Sequence, residues 1–143
     1  MGQPIALTVD VDLPLAPSPT KLMAGQFGAV VPLDVDRHVD ALVSAFGAAH
    51  EADWTYLPYR PFSDVDAFGR WLDVCASSDD LVFFSVDEGA GPSGIASYPR
   101  IAPWAASIEV GHIHFARRLQ RTAAATEAMW SMMRRVFASG YRR

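Results

Sequence analysis

The sequence predicts an α+β or mixed α/β domain whose elements run β-α-α-β-β-β-α. Three observations carry that order. Two segments, one after Asp34 and one after Ser63, repeat apolar residues at helical spacing. Three short segments between 81 and 115 read as strands joined by Gly/Pro-rich links. A last helical pattern runs from Gln120 to Ser139.

In chain order, residues 1–24 contain Pro4, Pro14, Pro17 and Pro19 and read as an extended arm ahead of a domain at 25–143. A strand is expected from Gln26 to Leu33. Asp34 then caps a helix that places Val39, Leu42, Val43 and Phe46 on one face. After the aromatic loop "DWTYLPYRPF", Ser63 and Asp66 resemble a capping box, and the next helix carries Phe68, Trp71, Leu72 and Cys75 on one face. "LVFFSV" (81–86), "IASYPRI" (95–101) and "ASIEVGHIHF" (106–115) form an antiparallel meander, with Pro99 marking a bulge or a locally unpaired edge. On the last helix Ala125, Met129, Met132, Val136 and Phe137 make a core-facing stripe, and Gly140 takes a C-cap position.

Composition narrows the function classes. Half the 143 residues are hydrophobic and a fifth are charged, so disordered and fibrous classes drop out. No apolar run approaches the roughly 20 residues of a membrane span. Asp10 and Asp12 interrupt any secretion signal, and Ala6 breaks the myristoylation pattern that Gly2 would begin. The single cysteine, Cys75, excludes an internal disulfide framework and reads as a small core residue. A soluble, cytoplasmic protein is expected. Charge is uneven: from Arg117 onward there are seven arginines and one acid, whereas the first 116 residues carry five bases and fifteen acids. Arg134, Arg135, Arg142 and Arg143 suit the end of a helix. Arg117, Arg118 and Arg121 precede one, where cations are disfavoured, and are candidates for contact with an anionic ligand.

The stretch "IEVGHIHFARRLQRTAAATEAM" (108–129) admits two chemistries. In a regular strand His112 and His114 share a face, as a metal pair requires, while Glu109 falls on the other with Gly111, Ile113 and Phe115. His38 and His50 would have to converge on the pair to complete a site. No metal is expected, and both histidines read as hydrogen-bonded residues of a half-exposed strand. The phosphate reading has better mechanics. A helix that begins with small residues directs free N–H groups and the positive end of its dipole outward. Packing against the sheet would explain the alanines about as well.

The order strand, helix, helix, meander, small-residue helix resembles the GNAT superfamily of acetyl-CoA-dependent N-acetyltransferases over residues 25–143. "WTYLPY", "IEVGHIHF" and "LQRTAAATEAM" are similar to the branch that includes ribosomal-protein N-terminal acetyltransferases. The superfamily's pyrophosphate motif maps onto Gln120, Arg121, Thr122, Ala123, Ala124 and Ala125, with Ala123 replacing the central glycine. The resemblance implies that Ile113, His114 and Phe115 pair with the pantetheine arm of acetyl-CoA. It puts Glu109 where several members carry a general base, an alternative to a solvated or salt-bridged residue, with His112 a weaker substitute. Trp54, Tyr56 and Tyr59 would line the acceptor wall, or staple a structural loop.

The function that the resemblance implies is acetyl transfer to a primary amine, either a protein N-terminus or a small molecule. No metal, nucleic acid or membrane is expected. The alternative is a noncatalytic acyl-CoA-binding or assembly module. The superfamily continues beyond this helix with a parallel strand and further elements, of which "SGYRR" supplies the first residues at most. The segment 106–115 is therefore expected to be a ten-residue open edge that joins a second copy of the chain.

Overall fold

The computed structural model of the chain describes residues 12–18, 21–47, 51–59, 62, 64–78 and 81–143. Two short strands, β1 (Met23–Ala24) and β2 (Ala29–Pro32), precede two helices, α1 (Val35–Phe46) and α2 (Val65–Ala76). Three strands follow, β3 (Val82–Asp87), β4 (Pro92–Tyr98) and β5 (Gly111–Phe115), then helix α3 (Ala123–Ala138). The strands form one sheet in the order β1-β2-β3-β4-β5, each antiparallel to its neighbour. The expected architecture is present, and its differences lie at element boundaries.

The strand expected over Gln26–Leu33 is a hairpin. Gly25 and Gly28 flank a turn closed by a bond from the Gly25 N–H to the Gly28 carbonyl at 2.8 Å. Asp64 caps α2 by accepting the Ala67 N–H at 2.7 Å, whereas Ser63 of the expected capping box lies outside the described residues. β4 begins at Pro92 and ends before Pro99, so the proline costs no ladder bond, and its carbonyl accepts the Glu109 N–H. α3 begins at Ala123 rather than Gln120. The strand expected over 106–115 is only five residues long. Residues 106–110 leave the ladder apart from one bridge between Ala102 and Ser107.

The sheet separates two cores, as layered packing of amphipathic elements requires. On one side α1 and α2 bury Leu42, Phe46, Phe68 and Leu72 against Ile95. On the other, α3 buries Ala124, Ala125, Ala128, Met132 and Val136 against Val30, Phe84, Val86, Ala96 and Tyr98. Phe137, expected in this stripe, is instead exposed, and Ala128 is buried. The Tyr98 hydroxyl crosses to α3 and donates to the Met132 carbonyl at 2.8 Å, so a buried polar group is satisfied within the core. No helix among the described residues is long and apolar enough to cross a membrane.

Two contacts fix the ends of α3. The Glu127 carboxylate accepts the Gln26 and Phe27 N–H groups, each at 2.7 Å, and so holds the hairpin turn against the helix. At the other end, Arg143 lies beside residues 106–108. Its N–H donates to Ala106 O at 3.2 Å, and its carbonyl accepts the Ile108 N–H at 2.7 Å.

These contacts give two expectations. A Cβ on Gly28 would stand 2.5 Å from the Asp87 carbonyl, so Gly28→Ala should destabilise the protein by about 1–3 kcal/mol. Urea denaturation should show a lower midpoint at unchanged slope. The bonds from Gln26 and Phe27 lower the Glu127 pKa, so its contribution is complete above the ordinary carboxylate range and fades as pH falls through it. The stability gap between the parent and Glu127→Gln should therefore be constant near neutral pH and shrink on acidification.

Candidate functional site

β5 departs from regular geometry at one point. Its register to β4 pairs Ile95 with His114 and Ser97 with Gly111, so two β4 steps span three on β5. His112 and Ile113 thus oppose Ala96 alone, and His112 takes φ +48°. This is a β-bulge with a histidine where glycine is usual. A positive φ is uncommon for a side-chain-bearing residue, although histidine tolerates it better than most.

The bulge overturns the parity argument made from the sequence. His112 and His114 do share a face, the one toward α1 and α2. Glu109 joins them rather than facing away, because the extra residue reverses the alternation. Its Oε1 lies 3.4 Å from where a Cβ on Gly111 would stand, and its charge partly offsets the lowering of the His112 pKa by burial. Glu109 also pairs with Arg100 at 2.9 Å on the exposed surface.

His114 is not a half-exposed, hydrogen-bonded residue. It is 4% exposed, stacks on Phe46 at 4.1 Å, and meets the Trp54 ring edge-on at 4.1 Å. Neither ring nitrogen has a hydrogen-bond partner among the described residues. Burial pushes its pKa down to about 4, against the attraction of Asp53. Trp54 is buried in the same core, and Tyr59 packs on Trp71 at 4.4 Å with its ring parallel to that of His112. Burial raises the Tyr59 hydroxyl pKa. Tyr56 makes none of these ring contacts and is 98% exposed. Among the described residues no group of three His, Cys, Asp or Glu side chains stands close enough to hold a metal ion.

β5 is the last strand of the sheet, so one side of its backbone faces no other strand among the described residues. The Ala116 N–H donates to Ser93 O at 2.8 Å, and by alternation Ile113 and Phe115 direct their N–H and C=O groups to the open side. A tight turn then leads to α3. The Ala116 carbonyl accepts the Leu119 and Gln120 N–H groups, Leu119 is fully buried, and Arg121 takes φ +62°. Thr122 caps the helix, its Oγ1 accepting the Ala125 N–H at 3.1 Å. The N–H groups of Ala123 and Ala124 have no partner among the described residues. Ala124 and Ala125 are buried against the sheet while Ala123 is exposed, so packing accounts for two of the alanines and leaves the third facing outward.

Two of the three arginines before α3 are engaged in ion pairs. Arg117 pairs with Asp53 at 3.1 Å, and Arg118 with Glu88 at 2.6 Å, tying the turn to the aromatic loop and to the β3–β4 link. Arg121 is exposed. Two wider clefts lie elsewhere, one between residues 12–18 and α3, the other beside Leu33, Ser77, Phe83 and Ile101.

The fold that carries this bulged strand, turn and helix start has counterparts of known structure. A probable acetyltransferase of the GNAT family from Chromobacterium violaceum ATCC 12472 is 30% identical. It superposes with a TM-score of 0.86, over 99% of this chain and 73% of that one. The chain belongs to the GNAT family. A GCN5-related N-acetyltransferase from Brucella melitensis is 34% identical with a TM-score of 0.84, over 91% of this chain and 61% of that one. The ribosomal L7/L12 alpha-N-protein acetyltransferase RimL shares the GNAT fold at 12% identity and a TM-score of 0.69. This chain therefore spans 73% and 61% of the lengths of its two GNAT relatives. Neither a protein-family profile nor a curated protein sequence matches it.

Three features of the region escaped the sequence: the bulge, the identity of Arg100 as the partner of a salt-bridged Glu109, and a bond from the Gln120 carboxamide to the Phe115 carbonyl at 2.8 Å. Gly111 is needed because a Cβ there would approach Pro99 Cγ to 2.9 Å.

The His114 environment sets a pH dependence. Between its ordinary value near 6.5 and its folded value near 4, the unfolded chain binds a proton that the folded one does not. Stability should therefore fall as pH drops through that window, by roughly 3 kcal/mol in total from this group. His114→Phe keeps an aromatic ring in the stack and should lose less stability between pH 6.5 and 4, measured by urea denaturation at stepped pH. Equal acid sensitivity in both proteins would contradict the buried neutral ring.

Proposed function

We propose that this domain transfers an acetyl group from acetyl-CoA to a primary amine, acting as a soluble cytoplasmic protein. One observation carries the reading: the side of β5 that faces no described strand, with the Ile113 backbone groups and the Phe115 N–H, leads through one turn to the Ala123 and Ala124 N–H groups, which have no partner among the described residues. An extended amide-bearing chain ending in an anion matches that sequence of donors and acceptors. The pantetheine arm would pair with β5 along Ile113, His114 and Phe115. The pyrophosphate would sit over Gln120–Ala125, with the Ala123 and Ala124 N–H groups and the helix dipole as its partners. The outward methyl of Ala123 narrows the approach without filling it.

In the reaction, the amine nitrogen attacks the thioester carbonyl carbon, the C–S bond breaks, and coenzyme A leaves as thiol. The amine must first lose a proton. Glu109 is a base suited to that step, directly or through water, because the bulge turns it toward the His112 side. His112 is the second candidate on the same face. Trp54 and Tyr59 form the aromatic floor beside it, with Tyr56 at the exposed rim as a contact for a larger acceptor such as a protein N-terminus. A noncatalytic acyl-CoA-binding or assembly module is the second reading, favoured by the ion pair that Arg100 makes with Glu109.

Calorimetry with coenzyme A tests the binding half. Ala123→Glu should abolish binding while far-UV circular dichroism stays at the parent level, and undiminished affinity would remove the phosphate site. Thiol release from acetyl-CoA with amine acceptors tests turnover. Glu109→Gln should lower it by on the order of 10²-fold with little change in cofactor affinity. Binding without turnover across a panel of peptide and small amines would favour the noncatalytic reading.

A further inference from the structure

The open edge of β5 is narrower than its five residues suggest. On its amino-terminal side, residues 106–108 already bond to Arg143. On its carboxyl-terminal side, the Gln120 carboxamide donates to the Phe115 carbonyl at 2.8 Å, one of the groups that face the open edge. The main chain of Gln120 cannot move aside easily. Its N–H is bound to Ala116 O at 3.1 Å, and its neighbour Leu119 is buried under Phe115 and Gly94. The side chain is exposed, so once its bond to the Phe115 carbonyl breaks it can swing out in picoseconds to nanoseconds.

We propose that Gln120 is a displaceable plug, its carboxamide standing in for a ligand amide at the Phe115 carbonyl, so that an extended amide-bearing ligand must turn it out to pair with β5. The ligand is the pantetheine arm of coenzyme A, and to that extent the inference rests on the proposed function. A Gln120 contact that held the cofactor would strengthen binding, whereas a plug opposes it. The two roles therefore differ in the sign of the effect of removing the carboxamide.

The probe is coenzyme A, titrated calorimetrically into the parent, Gln120→Ala and Gln120→Met, the last keeping the length of the side chain without its donor. Both variants should bind about two- to tenfold more tightly than the parent, the equivalent of one modest hydrogen bond released. In the free parent, nuclear magnetic resonance should detect a scalar coupling through the hydrogen bond from Gln120 Nε2 to the Phe115 carbonyl carbon, and coenzyme A should abolish it. Absence of that coupling in the free protein overturns the plug, as does equal or weaker binding by both variants. If coenzyme A binds none of the three proteins, the cofactor reading fails and the plug fails with it. That result is distinct from binding that the variants leave unimproved.

Discussion

The extra residue in β5 at His112 is the constraint on which the rest of the region depends. Without it, the alternation along the strand would put Glu109 on the α3 side of the sheet. With it, Glu109, His112 and His114 all face the layer built by α1, α2 and the aromatic loop. The bulge carries strain, since side-chain-bearing residues in the left-handed region cost about 1–2 kcal/mol each. Arg100, Ala106, His112 and Arg121 are the described non-glycine residues with positive φ, and all four lie between β4 and α3. Strain concentrated in this way persists only where surrounding contacts over-determine the backbone. Here the Ala102–Ser107 bridge, the Arg143 contacts and the buried Leu119 do so.

The two layers impose different demands on neighbouring residues. Toward α1 and α2 the sheet meets rings, and His114 sits among them as though it were one, neutral and stacked on Phe46. Its neutrality is the condition for its burial, because an imidazolium there would lose its hydration with no bonded partner among the described residues. Toward α3 the sheet meets alanines, which let the helix lie close. Successive residues of a helix are about 100° apart, so Ala123 faces outward while Ala124 and Ala125 face the sheet. Close packing and an accessible helix start are therefore consequences of the same short run.

Much of this was legible in the sequence where the signal is local. The helical spacing of Leu42 and Phe46, and of Phe68, Leu72 and Cys75, gave both helices, and the order of elements gave the family. What escaped depends on contacts distant in sequence. The parity of Glu109 was read from a regular strand, and nothing in "VGHIH" announces a left-handed histidine. Arg117 and Arg118 looked free because Asp53 and Glu88 lie 64 and 30 residues earlier in the chain. The hairpin at 25–28 was the exception, since the glycines flanking Gln26 and Phe27 are a turn signal that the apolar run after them obscured.

The Glu127 contact with the hairpin turn has a mechanical consequence. That turn belongs to the edge of the sheet opposite β5, and Glu127 lies one helical turn beyond Ala123. The amino end of α3 is thus strapped to one edge by a carboxylate and to the other by the short link from β5. A helix braced across the full width of a sheet follows the twist of that sheet instead of sliding over it. Flexing then carries the amides of Ala123 and Ala124 along with the rim of β5, so the spacing between them is kept. Loosening the hairpin turn that Glu127 holds would free that spacing to drift.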